Sequence, residues 1–432
     1  MMGRIDIKDE YNMVYMIFFY LSVGMLLPWN FFINVNGYWM FKFRTVNETI
    51  EGNNTDIGPG KLNDRQLEFT ADLALAAMLP NVMFLIVNGL IGHRLRIIPR
   101  LIFSLIGVVI LFMVTTVFVY VDTDRWQDWF LTITLTTVVL INICNGIFQG
   151  GFFGLAGMFP SRYMNAVLTG QGLGGVITAL LNIILLAIGG NDVDAAFYCF
   201  LLSVVFLSGS VLVFFGLTKT RLFKHYTQSA ITLSSEETSL LDPPGVNQEV
   251  SLIEVIKIIW EEEITVFLIY VVTLACFPAV TVLVQSTNKG LPGSGNWENL
   301  YFVPVSCFLF FNLGDYFGRT LSSINRFPKP GPKLCLLLAV VRIFFIPLFM
   351  MCNAVPESRY YTPILIYSDT AYILLIFILS ISNGYMTGIV MVSAPYRVPV
   401  HLKQTAANFM AGILGVGLAA GAAISSAAVQ LL

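Results

Sequence analysis

Charge is scarce in this chain of 432 residues. Asp, Glu, Lys and Arg together make up 12% of it, where a soluble domain carries about 25%. Segments that face lipid cannot hold charge cheaply, so the deficit itself points to the bilayer. A net charge of −2 provides no basic surface and argues against nucleic acid as a partner. Histidine is equally sparse. His93, His225 and His401 stand at no metal-ligand spacing, and there is no Walker loop and no Gly-x-Ser-x-Gly elbow. The expectation is therefore no metal, no cofactor and no enzyme. All six cysteines (Cys144, Cys199, Cys276, Cys307, Cys335 and Cys352) fall inside apolar runs. That argues against a disulfide framework or a zinc site and reads them as small buried hydrophobes. A channel is disfavoured because no ring-forming filter signature is present.

Apolar residues are abundant, at 56% of the chain. A membrane span needs roughly 20 of them in succession. Eleven runs qualify, at 11–35, 71–92, 101–121, 130–157, 164–190, 195–217, 264–286, 299–325, 334–353, 370–395 and 404–431. The first has no small-residue cleavage site after it and reads as an uncleaved span. The expected fold class is an all-α integral membrane protein of about eleven transmembrane helices, with the lipid bilayer as solvent.

Lysine and arginine placement sets the orientation. With the N-terminus in the cytosol, 15 of the 24 fall in inside segments and seven in outside segments. The other two lie in the membrane, and an odd number of spans puts the C-terminus outside. Two loops are long. The first, 36–70, is polar, lies outside and holds both N-glycosylation sequons, at Asn47 and Asn53. The second, 218–262, is cytosolic and rich in Ser, Thr and Glu, with Pro243-Pro244; it reads as a partly disordered linker. Its end, Ser251 to Glu263, has the pattern of an amphipathic helix at the membrane surface. The chain thus divides into an N-terminal six-helix bundle over 1–217, a linker over 218–262 and a C-terminal five-helix bundle over 263–432. Default address is the plasma membrane. The alternative is an endosomal or lysosomal membrane, because Glu236-Glu237-Thr238-Ser239-Leu240-Leu241 has the form of an acidic dileucine signal.

Glycines recur at helical spacing: Gly146, Gly150 and Gly154, then Gly170 and Gly174, then Gly417 and Gly421. Such spacing lets helices approach closely. Pro28, Pro80, Pro278, Pro304 and Pro347 lie within spans, where the backbone groups they free must meet a neighbour or a cavity.

Three charges sit well inside the runs: Asp315, Arg319 and Arg342. Phe308, Asn312, Asp315 and Arg319 are separated by four, three and four, so they share one helix face, and an Asp–Arg pair at i, i+4 lowers the cost of burying either. Intramembrane charges usually face a polar cavity. A carboxylate beside a guanidinium offers acceptors and donors together, which suits sugar hydroxyls; the bland alternative is a pair that only stabilises the bundle. Asn142, Asn145 and Gln149 share a face of the fourth span. A carboxamide both donates and accepts and can read the edge of a base, or it can simply bond helix to helix. Trp29, beside Pro28, suits stacking on a planar ligand or filling the core. Arg342 has no acid on its own helix and reads as pairing across helices rather than touching substrate.

Several ordered motifs resemble the equilibrative nucleoside transporter family. They are Leu26-Leu27-Pro28-Trp29-Asn30-Phe31-Phe32, Phe148-Gln149-Gly150-x-x-Phe153-Gly154, Gly170-Gln171-Gly172-Leu173-x-Gly175, Phe277-Pro278-Ala279-Val280-Thr281, Pro304-Val305-Ser306-Cys307-Phe308, Asn312-x-x-Asp315-x-x-Gly318-Arg319 and Ser382-Asn383-Gly384-Tyr385. The resemblance runs from the first span to the last. It implies a major-facilitator-like 6+5 bundle with a central cavity, alternating access, and facilitated, sodium-independent diffusion of purine and pyrimidine nucleosides, with nucleobases left open. Carried over by motif, ribose meets Asp315 and Arg319 and the base meets Gln149. Leu26, Trp29, Met78, Phe277, Phe308, Asn312 and Leu418 line the rest. Asn145, Asn81 and Ile33 depart from the pattern, and the two asparagines place additional polar groups near the cavity. A proton-coupled nucleoside or nucleobase carrier, with Asp315 as the buried acid, is the second reading; a non-transport receptor is a distant third.

The topology has a direct test. Endoglycosidase treatment of protein made in animal cells should increase gel mobility, and Asn47→Gln with Asn53→Gln should abolish the shift. Absence of any shift, with protease cutting the 36–70 loop from the cytosolic face, would reverse the orientation.

Overall fold

Lipid offers no partner for a bare N–H or C=O, so an apolar chain of this kind satisfies its backbone within helices. The computed structural model describes residues 9–44, 64–92, 95–189, 192–228, 252–324, 329–354 and 362–432. Both sequons and the Glu236–Leu241 segment lie outside these residues, and the side chain of Trp29 is likewise outside the description. The helices are α1 Met13–Asn34, α2 Asn36–Lys42, α3 Asp64–Ile91, α4 Ile97–Phe118, α5 Gln127–Met158, α6 Ser161–Ile188 and α7 Asp192–Lys219. They continue with α8 Leu252–Cys276, α9 Phe310–Ser323, α10 Pro332–Val341, α11 Phe345–Met350, α12 Asp369–Arg397 and α13 Lys403–Gln430. Extended pairing among the described residues is confined to two isolated bridges, Val284 with Ala354 and Cys352 with Ile366.

Ten helical stretches among the described residues are long and apolar enough to cross a membrane. The eleventh expected run, 299–325, is built differently. Its first part winds as π turns, Trp297–Tyr301 and Val303–Leu309, before tightening into α9. Pro304 explains the change locally: it has no N–H to give to an α ladder, so the turn widens. The ninth run is also interrupted, by a 3₁₀ turn at Arg342–Phe344 between α10 and α11.

α1 packs on α6 and α7, α3 on α5, and α4 on α5 and α7. Among the later helices, α9 packs on α12, and α8 on α13, α12 and α10. The two groups meet along two seams: α13 against α3 and α5, and α9 with α12 against α6. Glycines set the closeness of these contacts. A β-carbon on Gly170 or Gly174 would strike the backbone of α1 at Phe19 or Val23, whereas one on Gly172 would strike Tyr316 of α9. α6 is thus thinned on both faces.

The segment before the seventh span departs from expectation. Leu252–Cys276 is one helix with a kink at Ile259, where φ is −114° and ψ is 15°, so the residues read as a surface helix continue into the span. The charge inventory changes with it. Glu261, Glu262 and Glu263 are all buried, so Asp315 is not alone as a buried acid. Glu261 and Glu262 accept from Arg397 of α12 at 3.2 and 2.7 Å. That partner, far away in sequence, makes their burial tolerable.

The α9–α12 crossing is the tightest of these contacts to test. A β-carbon on Gly384 would collide with the backbone carbonyl of Asp315. Helix propensity favours alanine over glycine by about 1 kcal/mol. Overpacking against an immovable backbone costs about 1–3 kcal/mol, so the collision wins. Gly384→Ala should lower the melting temperature of the detergent-purified protein, and Gly384→Val should lower it further. A Tm equal to that of the parent would show that this crossing tolerates side chains.

Candidate functional site

α9 carries Asn312, Asp315 and Arg319 on the face that meets α6. The Arg319 Nε–H donates to Asp315 Oδ2 at 2.7 Å, with side-chain exposures of 6% and 10%. Two charges so far from water would each cost several kcal/mol alone, so their remaining valences must be filled. The other carboxylate oxygen, Oδ1, accepts from Asn383 Nδ2 of α12 at 2.6 Å. Arg319 also reaches across the seam, where Nη1 donates to the Leu168 carbonyl at 3.3 Å and to Gln171 Oε1 at 3.4 Å, both on α6. Its Nη2 lies 3.4 Å from the Tyr270 hydroxyl of α8. The bond to Asp315 is short, whereas the terminal guanidinium nitrogens are held only by long bonds.

Asn312 spans the same seam. Its Nδ2 donates back to the Phe308 carbonyl at 2.8 Å, and its Oδ1 fills the space that a β-carbon of Gly175 would take. An aromatic group adjoins it. Phe277 stacks on Phe311 with centroids 3.8 Å apart and meets Phe308 edge-on at 5.7 Å. The structure therefore brings together Phe277, Phe308, Asn312, Asp315 and Arg319 from the expected set.

The remaining expected residues stand apart from this group. Gln149 is buried in α5 and has no hydrogen-bond partner among the described residues. Leu26, Met78 and Leu418 are half-buried on α1, α3 and α13. No hydrogen bond among the described residues joins Gln149 or Met78 to the Asp315–Arg319 pair. Trp29 is placed only as a residue of α1. Asn142 bonds back to the Val138 carbonyl at 2.9 Å. Asn145 departs from expectation: it sits among Leu21, Gly24 and Pro28 of α1, Leu105 and Val108 of α4, and Leu207 and Ser210 of α7. Helix geometry accounts for this. At 3.6 residues per turn Asn142 and Gln149 lie about 20° apart, while Asn145 is rotated about 60° from the first and 40° from the second. Asn81 is half-buried beside Gly146, and its Oδ1 has no partner.

A cavity of about 690 Å³ lies at the Ser322 end of α9. Asn165 of α6, Glu261 and Glu262 of α8, Lys329 and Lys333, and Arg397 of α12 contribute polar groups to its wall. None of the ten expected substrate residues lines it. Ser322, one turn beyond Arg319, donates to the Arg319 carbonyl at 2.7 Å and ties the cavity's edge to the charged pair.

Residues 135–429 match the family model described as Nucleoside transporter. The chain belongs to the nucleoside transporter family. It is 32% identical to equilibrative nucleoside transporter 1 of Rattus norvegicus and 30% identical to that of Homo sapiens, each comparison covering 97% of both chains. Identity to equilibrative nucleoside transporter 3 of Rattus norvegicus is 31%, over 97% of this chain and 89% of the relative. Among solved structures, a proton:xylose symporter of the major facilitator superfamily superposes with a TM-score of 0.61 at 10% identity, covering 96% of this chain and 88% of that one. The E. coli fucose:proton symporter does so with a TM-score of 0.51 at 11% identity, over 96% and 97%. These two likenesses show the major-facilitator fold and no more. Membership of the family makes the protein a transporter rather than an enzyme.

Sequence reasoning missed Gln171, Tyr270, Thr273 and Asn383 around the pair. Gln171 and Asn383 did stand inside quoted motifs, which was a usable signal; Thr273 and Tyr270 offered none. Arg342 pairs across helices as expected, but with no acid. It donates to Thr273 Oγ1 of α8 at 2.8 Å, and to Ser382 Oγ and the Leu379 carbonyl of α12 at 2.5 and 3.3 Å.

The transporter's second charged cluster has its own test. Glu262 is fully buried and Arg397 is its short-range partner. Arg397 is itself 39% exposed, so losing it costs less than the roughly 3–5 kcal/mol of a fully buried pair, but it leaves the Glu262 charge uncompensated. Arg397→Gln should therefore lower the melting temperature, and adding Glu262→Gln should restore part of it. If the double variant is as unstable as the single, Glu262 is not the group that needs Arg397.

Proposed function

We propose that this transporter carries nucleosides across the plasma membrane by facilitated diffusion through alternating access, with the N-terminus in the cytosol and the C-terminus outside. The observation that carries the reading is the buried Asp315–Arg319 pair at the α6–α9 seam. It is a charged donor–acceptor pair placed where two helix groups meet, with its guanidinium termini weakly held. Ribose hydroxyls both donate and accept, so they match a carboxylate and a guanidinium at once. On this reading Asp315 and Arg319 take the sugar. Gln149, whose amide is unengaged among the described residues, takes the edge of the base. Leu26, Trp29, Met78, Phe277, Phe308, Asn312 and Leu418 complete the path for a purine or pyrimidine nucleoside. Nucleobases, which lack the sugar, enter only through the Gln149 side.

The pair carries its own compensation. Asp315 is matched by Arg319 within its own helix, so no sodium ion or proton is needed to neutralise it before the carrier turns over. Uptake of labelled uridine and adenosine into vesicles should run in either direction and be indifferent to sodium. Accumulation of uridine above the outside concentration under a proton gradient would overturn the facilitated reading. It would favour the proton-coupled carrier and direct attention to Glu263 as well as to Asp315, since Glu263 Oε1 is buried with no hydrogen-bond partner among the described residues.

The site assignment is tested by substitution. Hydrogen bonds to charged groups are worth about 1.5–3 kcal/mol, and about 1.4 kcal/mol is one decade in affinity. Asp315→Asn should weaken apparent affinity for every riboside by about tenfold or more. Arg319→Lys, which loses the planar fork, should also weaken it. Gln149→Leu should instead reorder uridine, adenosine and free nucleobases. Surface abundance is measured alongside, since Asp315→Asn leaves a buried guanidinium without its anion. Transport of all ribosides at the parent's affinity by Asp315→Asn would make the pair structural.

A further inference from the structure

Arg342 is 3% exposed and bonds to no carboxylate among the described residues, yet it lies in the apolar interior of a membrane protein. Its surroundings form a chain of hydrogen bonds that ends on Asp315. Arg342 Nη2 donates to Thr273 Oγ1 at 2.8 Å. Thr273 Oγ1 lies 2.7 Å from Asn383 Oδ1, and Asn383 Nδ2 donates to Asp315 Oδ1 at 2.6 Å.

Donor and acceptor chemistry sets the direction of this chain at both ends. A carboxylate only accepts, so the Asn383 amide must present its nitrogen to Asp315 and its oxygen to Thr273. Two oxygens 2.7 Å apart need a proton between them, and Asn383 Oδ1 has none. The Thr273 hydroxyl supplies it, sharing its one proton between Asn383 Oδ1 and the Ile269 carbonyl, which also lies 2.7 Å from Oγ1. That hydroxyl is therefore unable to donate to Arg342 and instead accepts from it. Every link points the same way, from Arg342 through Thr273 and Asn383 to Asp315. Arg319 closes the other side through Oδ2 at 2.7 Å.

Three helices and one 3₁₀ turn contribute: α8 gives Thr273, α12 gives Asn383, α9 gives Asp315, and Arg342 opens the turn after α10. The chain therefore fixes the carboxylate from outside its own helix. We propose that Thr273, Asn383 and Arg342 are positioning residues for Asp315. They hold one carboxylate oxygen in a set direction, so that the acceptor sites left open by Asn383 and Arg319 meet the sugar hydroxyls in register. A carboxylate has about four acceptor sites, and Arg319 and Asn383 occupy two. Linked hydrogen bonds of this kind polarise one another in a low-dielectric interior. The effect on substrate is sugar discrimination: a riboside offers 2′- and 3′-hydroxyls to the fixed carboxylate, whereas a 2′,3′-dideoxyriboside offers neither.

This inference rests on Asp315 and Arg319 holding the sugar, and the test separates the two. The readout is the ratio of apparent affinities for uridine and 2′,3′-dideoxyuridine within one variant, which does not depend on how much protein reaches the membrane. Asp315→Asn should collapse that ratio. Thr273→Val keeps the shape but removes the proton, and it should lower the ratio by about fivefold, less than the full loss of a hydrogen bond to a charged group. The fall should come from a higher KM for uridine with little change for the dideoxy compound. Thr273→Ser should restore the ratio. Arg342→Gln, at the far end of the chain, should lower it in the same sense. A role in folding alone would reduce uptake of both substrates equally. If Asp315→Asn collapses the ratio while Thr273→Val and Arg342→Gln leave it at the parent value, the positioning inference is overturned and the sugar site stands. If Asp315→Asn leaves the ratio unchanged, the sugar site itself is overturned and this inference falls with it.

Discussion

Asp315 and Arg319 sit 2.7 Å apart with almost no access to water, and the interior around them is arranged to make that tolerable. An ion moved from water into an apolar interior loses several kcal/mol even after relaxation. Contact between the two charges recovers part of this, and the rest has to come from further hydrogen bonds. Those come from outside α9: Asn383 on α12, Gln171 and the Leu168 carbonyl on α6, and Tyr270 on α8. Three other helices must therefore come within hydrogen-bonding reach of one. The glycines at the crossings follow from that requirement. Gly384 and Gly318 let α9 and α12 touch backbone to backbone, and Gly172 and Gly175 let α6 come close to α9.

The two seams between the helix groups differ in how well their polar atoms are satisfied. At the α6–α9 seam the donors and acceptors are largely matched. At the seam of α13 with α3 and α5, Asn408 is fully buried opposite Gly154, and neither its Oδ1 nor its Nδ2 has a hydrogen-bond partner among the described residues. Asn88 Oδ1 and two nitrogens of Arg100 close by are in the same condition. A buried polar atom without a partner costs about 1–3 kcal/mol, and water would relieve it. The contact between α9 and α12 has the opposite character, with backbone against backbone and no room for water at Gly384. The seam of α13 with α3 and α5 is therefore less well satisfied than either the α6–α9 seam or the α9–α12 contact.

How much of this was legible in the sequence follows from the range of each interaction. Asp315 and Arg319 stood out because charge is rare in the runs and because i, i+4 spacing is a local property of one helix. The glycine repeats were legible for the same reason. Arg342 stood out for the same rarity of charge and Asn383 lay within a motif, but their partners, and Thr273 altogether, were not legible, because these contacts join residues 68 to 110 positions apart in sequence. A threonine in an apolar span looks the same whether it bonds its own turn or a distant amide. Glu261 and Glu262 were assigned to a linker because acidic residues next to a polar segment normally lie in water. Only the arrival of Arg397, some 135 residues on, changes that. Asn145 was placed on the wrong side because a spacing of three and four defines a stripe about 60° wide rather than a line. The helix then packed that edge of the stripe against α1, α4 and α7.

The charge pattern also bears on why a carrier of this kind would need no ion. A site built on a lone carboxylate must be neutralised before it can pass through a closed, dry state, and a proton or sodium ion does that in coupled carriers. On the proposed reading Arg319 performs the task permanently, since a guanidinium does not release its proton in the physiological range. Arg342 adds a second fixed positive charge, led to the same carboxylate through two neutral groups. Both charges remain the same through the cycle, so reorientation of the empty protein and of the loaded protein meet similar electrostatic costs. A neutral nucleoside bound at the proposed site would add hydrogen bonds without adding charge. The direction of net movement is left to the substrate gradient alone, which is the thermodynamic content of equilibrative transport.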